Sequence, residues 1–211
     1  KLSLRGGTML TSLGPMSSEM LLALALGYFL GSVPFGLILT RLSGKGDIRA
    51  IGSGNIGATN VLRTGSKGLA AATLLLDALK GTAAVLIAEQ LWPGGGRIAA
   101  GGALVGHLYP LWLRFRGGKG VATLLGILAG LAWPVAAIYA AVWIGLLLLL
   151  RISSVAGMSA AISAPVAAAL LGRGELVMML AGFALLVVWQ HRANLARLRA
   201  GTEPRIGRQK S

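Results

Sequence analysis

Three stretches of this chain concentrate residues that could do chemistry, and each is suited to holding an anion. The first runs from Gly44 to Asn60 and contains Gly52-Ser53-Gly54-Asn55-Ile56-Gly57-Ala58-Thr59-Asn60. Gly52, Gly54 and Gly57 match the spacing G-x-G-x-x-G. That pattern marks a dinucleotide site only after a strand in a βαβ unit, and here an apolar run precedes it. The physics is broader than the motif. Glycines let backbone N–H groups approach an oxyanion, and a following helix start adds partial positive charge. Asn55, Thr59 and Asn60 add neutral donors, and Arg49 and Arg63 add cations. The competing reading is a loop whose glycines only turn the chain.

The second stretch is Gly106-His107-Leu108-Tyr109-Pro110 followed by Arg114 to Thr123. Its centre, Gly117-Gly118-Lys119-Gly120, places a lysine in a glycine turn before a helix start, a plausible anion nest. It is not a Walker A loop, because Gly120 stands where Ser or Thr would hold magnesium. The alternative is simple anchoring of a cytoplasmic loop by three cations. The third stretch, His191 to Glu203, begins where the last apolar run ends. If helical, it puts His191, Asn194 and Leu198 on one face. A basic tail lying on the lipid surface is the alternative. Two smaller features join these: Ser32 and Pro34 inside the first apolar run, and Arg151 with Ser153 and Ser154 in a short polar turn. Asp77 and Lys80 are three residues apart inside the second run. Charges at that depth pair with each other or face a polar interior.

Composition says what must position these residues. The chain has 211 residues, 55% hydrophobic and 12% charged, with mean hydropathy +0.75. Soluble domains carry roughly 25% charge, so lipid is the expected solvent. Cys 0 excludes disulfides, thiolate metal sites and a cysteine nucleophile, and two histidines leave little for a metal centre. A net charge of +14 would suggest nucleic acid in a soluble protein. Here it points instead to basic cytoplasmic loops and an anionic ligand. Neither a metal, a cofactor nor a nucleic-acid partner is expected.

Apolar runs near 20–42, 69–91, 98–113, 121–133, 134–150, 155–171 and 175–190 read as spans. The segment Val121–Leu150, interrupted by Trp133-Pro134, could be one helix or two. With two, the loops 41–68, 114–120 and 151–154 and the tail 191–211 share one side and hold fifteen Lys and Arg, against four opposite. With one helix the split is nearly even. The positive-inside rule selects two. The expected fold is therefore an all-α integral membrane protein with seven transmembrane helices, several of them short. Its N-terminus is outside and its C-terminus cytoplasmic. Residues 1–19 read as an N-terminal tail, not a cleaved signal, because the apolar run after Met20 is too long. Residues 20–211 read as one membrane-embedded domain.

At these clusters the sequence closely resembles the bacterial acyl-phosphate:glycerol-3-phosphate acyltransferases of the PlsY type. The resemblance covers residues from about 22 to 207. It rests on Gly31-Ser32-Val33-Pro34-Phe35-Gly36, on Asp47-Ile48-Arg49 leading into Gly52 to Asn60, on Gly106-His107 with Gly117 to Thr123, and on His191-Arg192, Asn194, Arg197-Leu198, Gly201 and Glu203. Ile56, Tyr109, Arg116 and Ala193 depart from the common pattern without removing its donors. The resemblance implies transfer of an acyl group from acyl phosphate to the 1-hydroxyl of glycerol 3-phosphate, giving lysophosphatidic acid and phosphate. It implies a bacterial inner-membrane enzyme with a cytoplasmic site, in contact with membrane lipids and without an obligate protein partner.

The chemistry fits the residues. Both substrates carry phosphate, and an acyl phosphate is already activated, so no covalent nucleophile is needed. The site must neutralise charge, align the hydroxyl and stabilise an oxyanion. By resemblance, Gly52, Ser53, Gly54, Asn55 and Gly57 hold one phosphate, and Gly117, Gly118, Lys119 and Gly120 hold the other or bridge both, with Asn60 and His107 as further substrate-binding residues. Arg49, Arg151, Ser153, Ser154, Asn194 and Glu203 bind glycerol 3-phosphate or the transferring group, and Ser32 lines the site near the acyl carbonyl. His191, Arg49, Lys119 and Ser32 are the catalytic candidates. The base is either His191 or a substrate phosphate oxygen. The His-x4-Asp pattern of other glycerophosphate acyltransferases is absent, since Trp112 and Ala196 occupy the acidic position. The rivals are an anion transporter, which would use the Asp77–Lys80 pair, and a basic scaffold on anionic lipid. Alanine at Lys119 or Arg49 is expected to lower turnover by orders of magnitude while the protein still inserts. Near-normal turnover in both variants would overturn this assignment.

Overall fold

The ends of the apolar helices follow from residues already visible in the chain. The structure, a computed structural model, describes residues 17–207; residues 1–16 of the expected tail, and 208–211, lie outside the described residues. Ser17 caps α1 (Ser18–Gly31) through its side chain, so the first helix starts just inside the expected tail. Proline then breaks the run. Pro34 lacks an N–H, and the chain bends before α2 (Phe35–Leu42). A loop carrying the first glycine cluster leads to the short α3 (Ala58–Leu62). Ser66 caps α4 (Lys67–Leu91), the longest helix.

The helix α5 (Gly95–Leu108) stops earlier than the expected 98–113. Tyr109 precedes Pro110, and a residue before proline is pushed out of the α region. The segment Val121–Leu150 is two helices, α6 (Val121–Leu131) and α7 (Trp133–Leu150). Ala132 is extended at φ −161° between them, and Pro134 sits in the first turn of α7, where its missing N–H is harmless. Helices α8 (Ser153–Leu170), α9 (Gly174–Gln190) and α10 (Arg192–Arg199) complete the chain. No strand occurs among the described residues.

Four stretches are long and apolar enough to cross a bilayer: Ser18–Leu42, Lys67–Leu91, Trp133–Leu150 and Ser153–Leu170. A fifth is added if α9 and α10, bent by 59°, count as one. At 11 residues, α6 is shorter. The chain is an all-helical integral membrane protein. Its main core joins α4 to α9 through Leu104, Leu124, Ile127, Leu128, Val135, Leu176 and Leu180, with a ladder of alanines on α8.

Lipid gives helices no hydrophobic reason to associate, so close backbone contact must hold them. Gly27 and Gly31 on α1 meet the backbone of Ala99 and Ala103, and Gly102 and Gly106 on α5 meet Leu24 and Tyr28 in return. Gly126 of α6 lies against the carbonyl of Ala78 on α4. A β-carbon at Gly126 would have to push these helices apart. Gly126→Val is therefore expected to destabilise the protein by roughly 1–3 kcal/mol, the usual range for overpacking. Gly182→Ala on α9, where a β-carbon meets nothing within 4 Å, is expected to leave the melting temperature in detergent unchanged or higher. Equal melting temperatures for both variants would contradict this packing.

Candidate active site

Helix ends converge on a cavity of about 830 Å³ that opens at one end of the bundle. The beginnings of α3, α4, α6 and α8 meet there with the end of α9 and the segment after α10. Thus α6 leaves this end and α7 returns to it. Twelve of the expected site residues line the wall: Ser53, Asn55, Gly57, Asn60, His107, Lys119, Gly120, Ser153, Ser154, His191, Asn194 and Glu203. Leu74, Val121, Ala122 and Trp143 supply an apolar flank, and Asp77 lies deep in the wall.

A chain of polar contacts organises the centre. Lys119 Nζ donates to Asn194 Oδ1, and Asn194 Nδ2 donates to Glu203 Oε1. Ser154 Oγ also donates to Oε1, at 2.7 Å, and Arg197 Nε donates to Oε2 at 2.7 Å. Burial by itself would raise the Glu203 carboxyl, but these bonds outweigh it and hold it below its ordinary value. Burial brings the Lys119 ammonium down to about 8; Glu203 opposes this, and Arg197 and Arg63 add to it. His191 Nδ1 lies 2.7 Å from the Val187 carbonyl. A carbonyl can only accept, so Nδ1 carries the proton and Nε2 keeps its lone pair. Burial, aided by the Lys119 charge, holds this imidazole down to about 4.

Donors left free by the chain lie at helix starts. Neither α6 nor α8 has a side-chain cap, and Gly120, Val121, Ser153 and Ser154 at these starts all face the cavity. Uncapped N-termini carry partial positive charge, and Lys119 stands beside one of them.

Other expected donors are already occupied. The Asn60 amide nitrogen lies 2.8–3.1 Å from the carbonyls of Ile48, Ile51 and Asn55. Its Oδ1 accepts from Ser53 N and from Arg63. Asn60 therefore folds the first loop. Gly52, at φ +57°, and Gly54, at φ +67°, turn that loop outside the cavity wall. Gly54 N donates to Ile51 O, and Gly57 N to Asn55 Oδ1. Gly117 N donates to Leu108 O and Gly118 N to His107 O. A β-carbon on Gly118 would strike the His107 ring, so these two glycines fold the turn that presents Lys119.

Three further catalytic or binding candidates, Arg49, Ser32 and Arg151, lie outside the wall. Arg49 forms an ion pair with Asp47 at 2.6 Å, which holds the Asp47 carboxyl well below its usual range and raises Arg49. Arg49 thus braces the loop. Ser32 is buried but donates to Phe29 O at 2.8 Å, ending α1. Arg151 has an exposed side chain at φ +58°, and its carbonyl accepts Ile206 N at 2.7 Å. Glu203 lines the wall, but both of its oxygens are bonded by the protein. In exchange the wall gains Arg63, Lys67 and Arg205. Their charge was visible in the sequence; only the fold brings them to one place. The Asp77–Lys80 pair, at 2.7 Å, is closed by a further bond from Lys80 to Val33 O. Among the described residues no cluster of three His, Asp or Glu side chains is placed to hold a metal ion.

Helix starts and cations around one cavity in an apolar helical bundle accord with a known family. The family model for glycerol-3-phosphate acyltransferase matches residues 21–201. The chain is 57% identical over 192 residues to the glycerol-3-phosphate acyltransferase of Mesorhizobium japonicum, covering 91% of this chain and 98% of that one. It is 56% identical to the Brucella anthropi enzyme of the same name over 92% and 96% of the two chains. It is also similar to the crystal structure of PlsY (YgiH), an integral membrane glycerol 3-phosphate acyltransferase, in its glycerol 3-phosphate form. That match has TM-score 0.84 and 36% identity over 89% of this chain and 96% of the other. The lysophosphatidic acid form gives TM-score 0.82 and 35% identity over 89% and 95%. The chain belongs to the glycerol-3-phosphate acyltransferase family. It is a membrane-embedded acyltransferase of phospholipid synthesis.

Lys119 is a cation only below about pH 8, so activity that depends on its charge must decline above that value. The expected profile of kcat/KM, which reports the free enzyme, falls about tenfold per pH unit above pH ~8. Lys119→Arg should shift that limb upward, because a guanidinium stays charged. A limb that stays in place in the Lys119→Arg variant would remove Lys119 from this role.

Proposed function

We propose that the chain transfers a fatty acyl group from acyl phosphate to the 1-hydroxyl of glycerol 3-phosphate. The products are lysophosphatidic acid and inorganic phosphate. The reading carries with it seven spans, an outer N-terminus and a cavity facing the cytoplasm of a bacterial inner membrane. The departure of α6 from the cavity end and the return of α7 support that count. The observation that carries the function is the cavity wall: two uncapped helix starts and Lys119, Arg63 and Lys67 around one space with an apolar flank. Such a wall suits two phosphates and one acyl chain.

In this reading Lys119 and the start of α6 meet the acyl phosphate, neutralising the leaving phosphate and the developing oxyanion. Asn194 aims Lys119. Ser53, Asn55 and Arg63 take the phosphate of glycerol 3-phosphate, with Ser153 and Ser154 at the start of α8 beside it, while Gly57 N–H holds Asn55 in place. The 1-hydroxyl oxygen attacks the acyl carbonyl, a carbon–oxygen bond forms, and the bond to the leaving phosphate breaks. The hydroxyl proton passes to a phosphate oxygen. A phosphate monoester has a second pKa of roughly 6, whereas His191 is held near 4, so the phosphate is the stronger acceptor. His191 Nε2 then serves as a hydrogen-bond partner. Gly117, Gly118 and His107 shape the Lys119 turn, while Arg49, Gly52, Gly54 and Asn60 shape the first loop. Ser32 and Arg151 act through the backbone at the α1 end and the C-terminal segment.

Purified protein given palmitoyl phosphate and labelled glycerol 3-phosphate is expected to form lysophosphatidic acid without coenzyme A or added metal. Product that appears only with an acyl thioester would refute the donor assignment. Lys119→Ala is expected to lose about 10²–10³ in kcat, the scale of one oxyanion donor. His191→Gln is expected to lose less than the ~10²–10⁴ typical of a general base, and a loss in that range would restore His191 as the base.

A further inference from the structure

The segment after α10 crosses back over the cavity. Pro204, Arg205, Ile206 and Gly207 form part of its wall. Two ties hold the segment there. Glu203 is gripped by Ser154, Asn194 and Arg197. Ile206 N donates to Arg151 O at 2.7 Å, three residues further along. Arg205 lies between these ties, and it has no ion-pair partner among the described residues.

The charge balance gives that guanidinium a purpose. Four cations face the cavity: Arg63, Lys67, Lys119 and Arg205. The two acids in the wall do not offset them, since Asp77 is paired with Lys80 and Glu203 with Arg197, each at 2.7 Å. A phosphate monoester carries roughly −1.5 to −2 near neutral pH, so two phosphates bring about −3 to −4. Four cations cover that whole range, and three cover only its lower end. Position assigns the substrate. Lys119 and the start of α6 adjoin the apolar flank of Val121 and Trp143, where a membrane-borne acyl phosphate would lie. Arg205 is exposed and lines the wall on the segment after α10, the side suited to a soluble substrate.

We propose that residues 202–207 form a strap clasped by Glu203, and that Arg205 on this strap binds the phosphate of glycerol 3-phosphate. This rests on the function proposed above. Glu203 is then the clasp of the strap, and Arg205 is the group that touches substrate. An arginine can bond a phosphate through two parallel N–H groups, which a lysine cannot.

Steady-state kinetics on the full chain test this, with palmitoyl phosphate and glycerol 3-phosphate each varied in turn. Arg205→Ala is expected to raise KM for glycerol 3-phosphate by about 10- to 100-fold, the range of a lost charge-assisted hydrogen bond. Its kcat should stay within about threefold, and KM for palmitoyl phosphate and the melting temperature should not change. Arg205→Lys should recover part of the loss, and Arg199→Ala, an exposed cation on α10 outside the wall, should match wild type. If wild type forms no lysophosphatidic acid, the underlying function fails. If wild type is active and Arg205→Ala leaves KM for glycerol 3-phosphate within about twofold, the strap proposal fails alone. A rise in KM for palmitoyl phosphate instead would overturn the assignment to the soluble substrate.

Discussion

The buried ion pair between Asp77 and Lys80 ties together three pieces of irregular backbone. Lys80 reaches beyond its partner to the Val33 carbonyl, at the break between α1 and α2. Asp77 faces His107 Nδ1 at 3.9 Å, and the His107 carbonyl in turn receives Gly118 N–H. A charge inside a bilayer is costly unless paired, and losing one partner of a buried pair costs about 3–5 kcal/mol. Neither residue can shift without stranding the other. Proline sets where α1 bends and α5 ends; the pair then anchors the α1 break through the Val33 carbonyl and lies beside His107, whose carbonyl holds the turn that carries Lys119.

The broken helices around the cavity follow from a related constraint. Backbone polar groups within a membrane must be satisfied, and irregular chain is tolerated only where it lines a cavity or is buried in protein. Here the starts of α3, α4, α6 and α8 lie open to the cavity. Partial positive charge at a helix start is part of the backbone and is already oriented, so it stabilises an anion without burying another lysine. The cations that remain lie at the rim or are moderated, as Lys119 is by burial. Close backbone packing through Gly27, Gly31, Gly102 and Gly106 makes this possible, because it holds the helices together without large side chains filling the site end.

Much of the site was legible from residue type and spacing. Lys119 in its glycine turn, the polar face of His191 and Asn194, and the Ser153-Ser154 turn all reach one cavity. Function of individual donors was less legible. Asn60 reads as a phosphate donor, yet its amide faces three carbonyls. Gly117 and Gly118 read as an anion nest, yet their N–H groups close on Leu108 and His107. A glycine or asparagine announces that a backbone approach is needed, but not whether the approach is to a ligand or to the chain itself. Arg49 shows the same limit: its neighbour Asp47, two residues away, takes the charge that the sequence offers to a substrate.

The sequence by itself determined the solvent, the helical class and the break at Trp133-Pro134. Hydropathy, charge placement and proline geometry are local and need no partner. It also marked two glycine-basic loops and a polar tail as the places where charge and backbone donors concentrate, because residue type and spacing are written in the chain. Only the tertiary structure decided which cations are free. Arg63, Lys67 and Arg205 are separated by up to 142 residues and meet at one wall, while Arg49, Arg197 and Lys80 are taken by carboxylates. Pairing is a property of distance in space, and that distance is set by helix packing rather than by position along the chain.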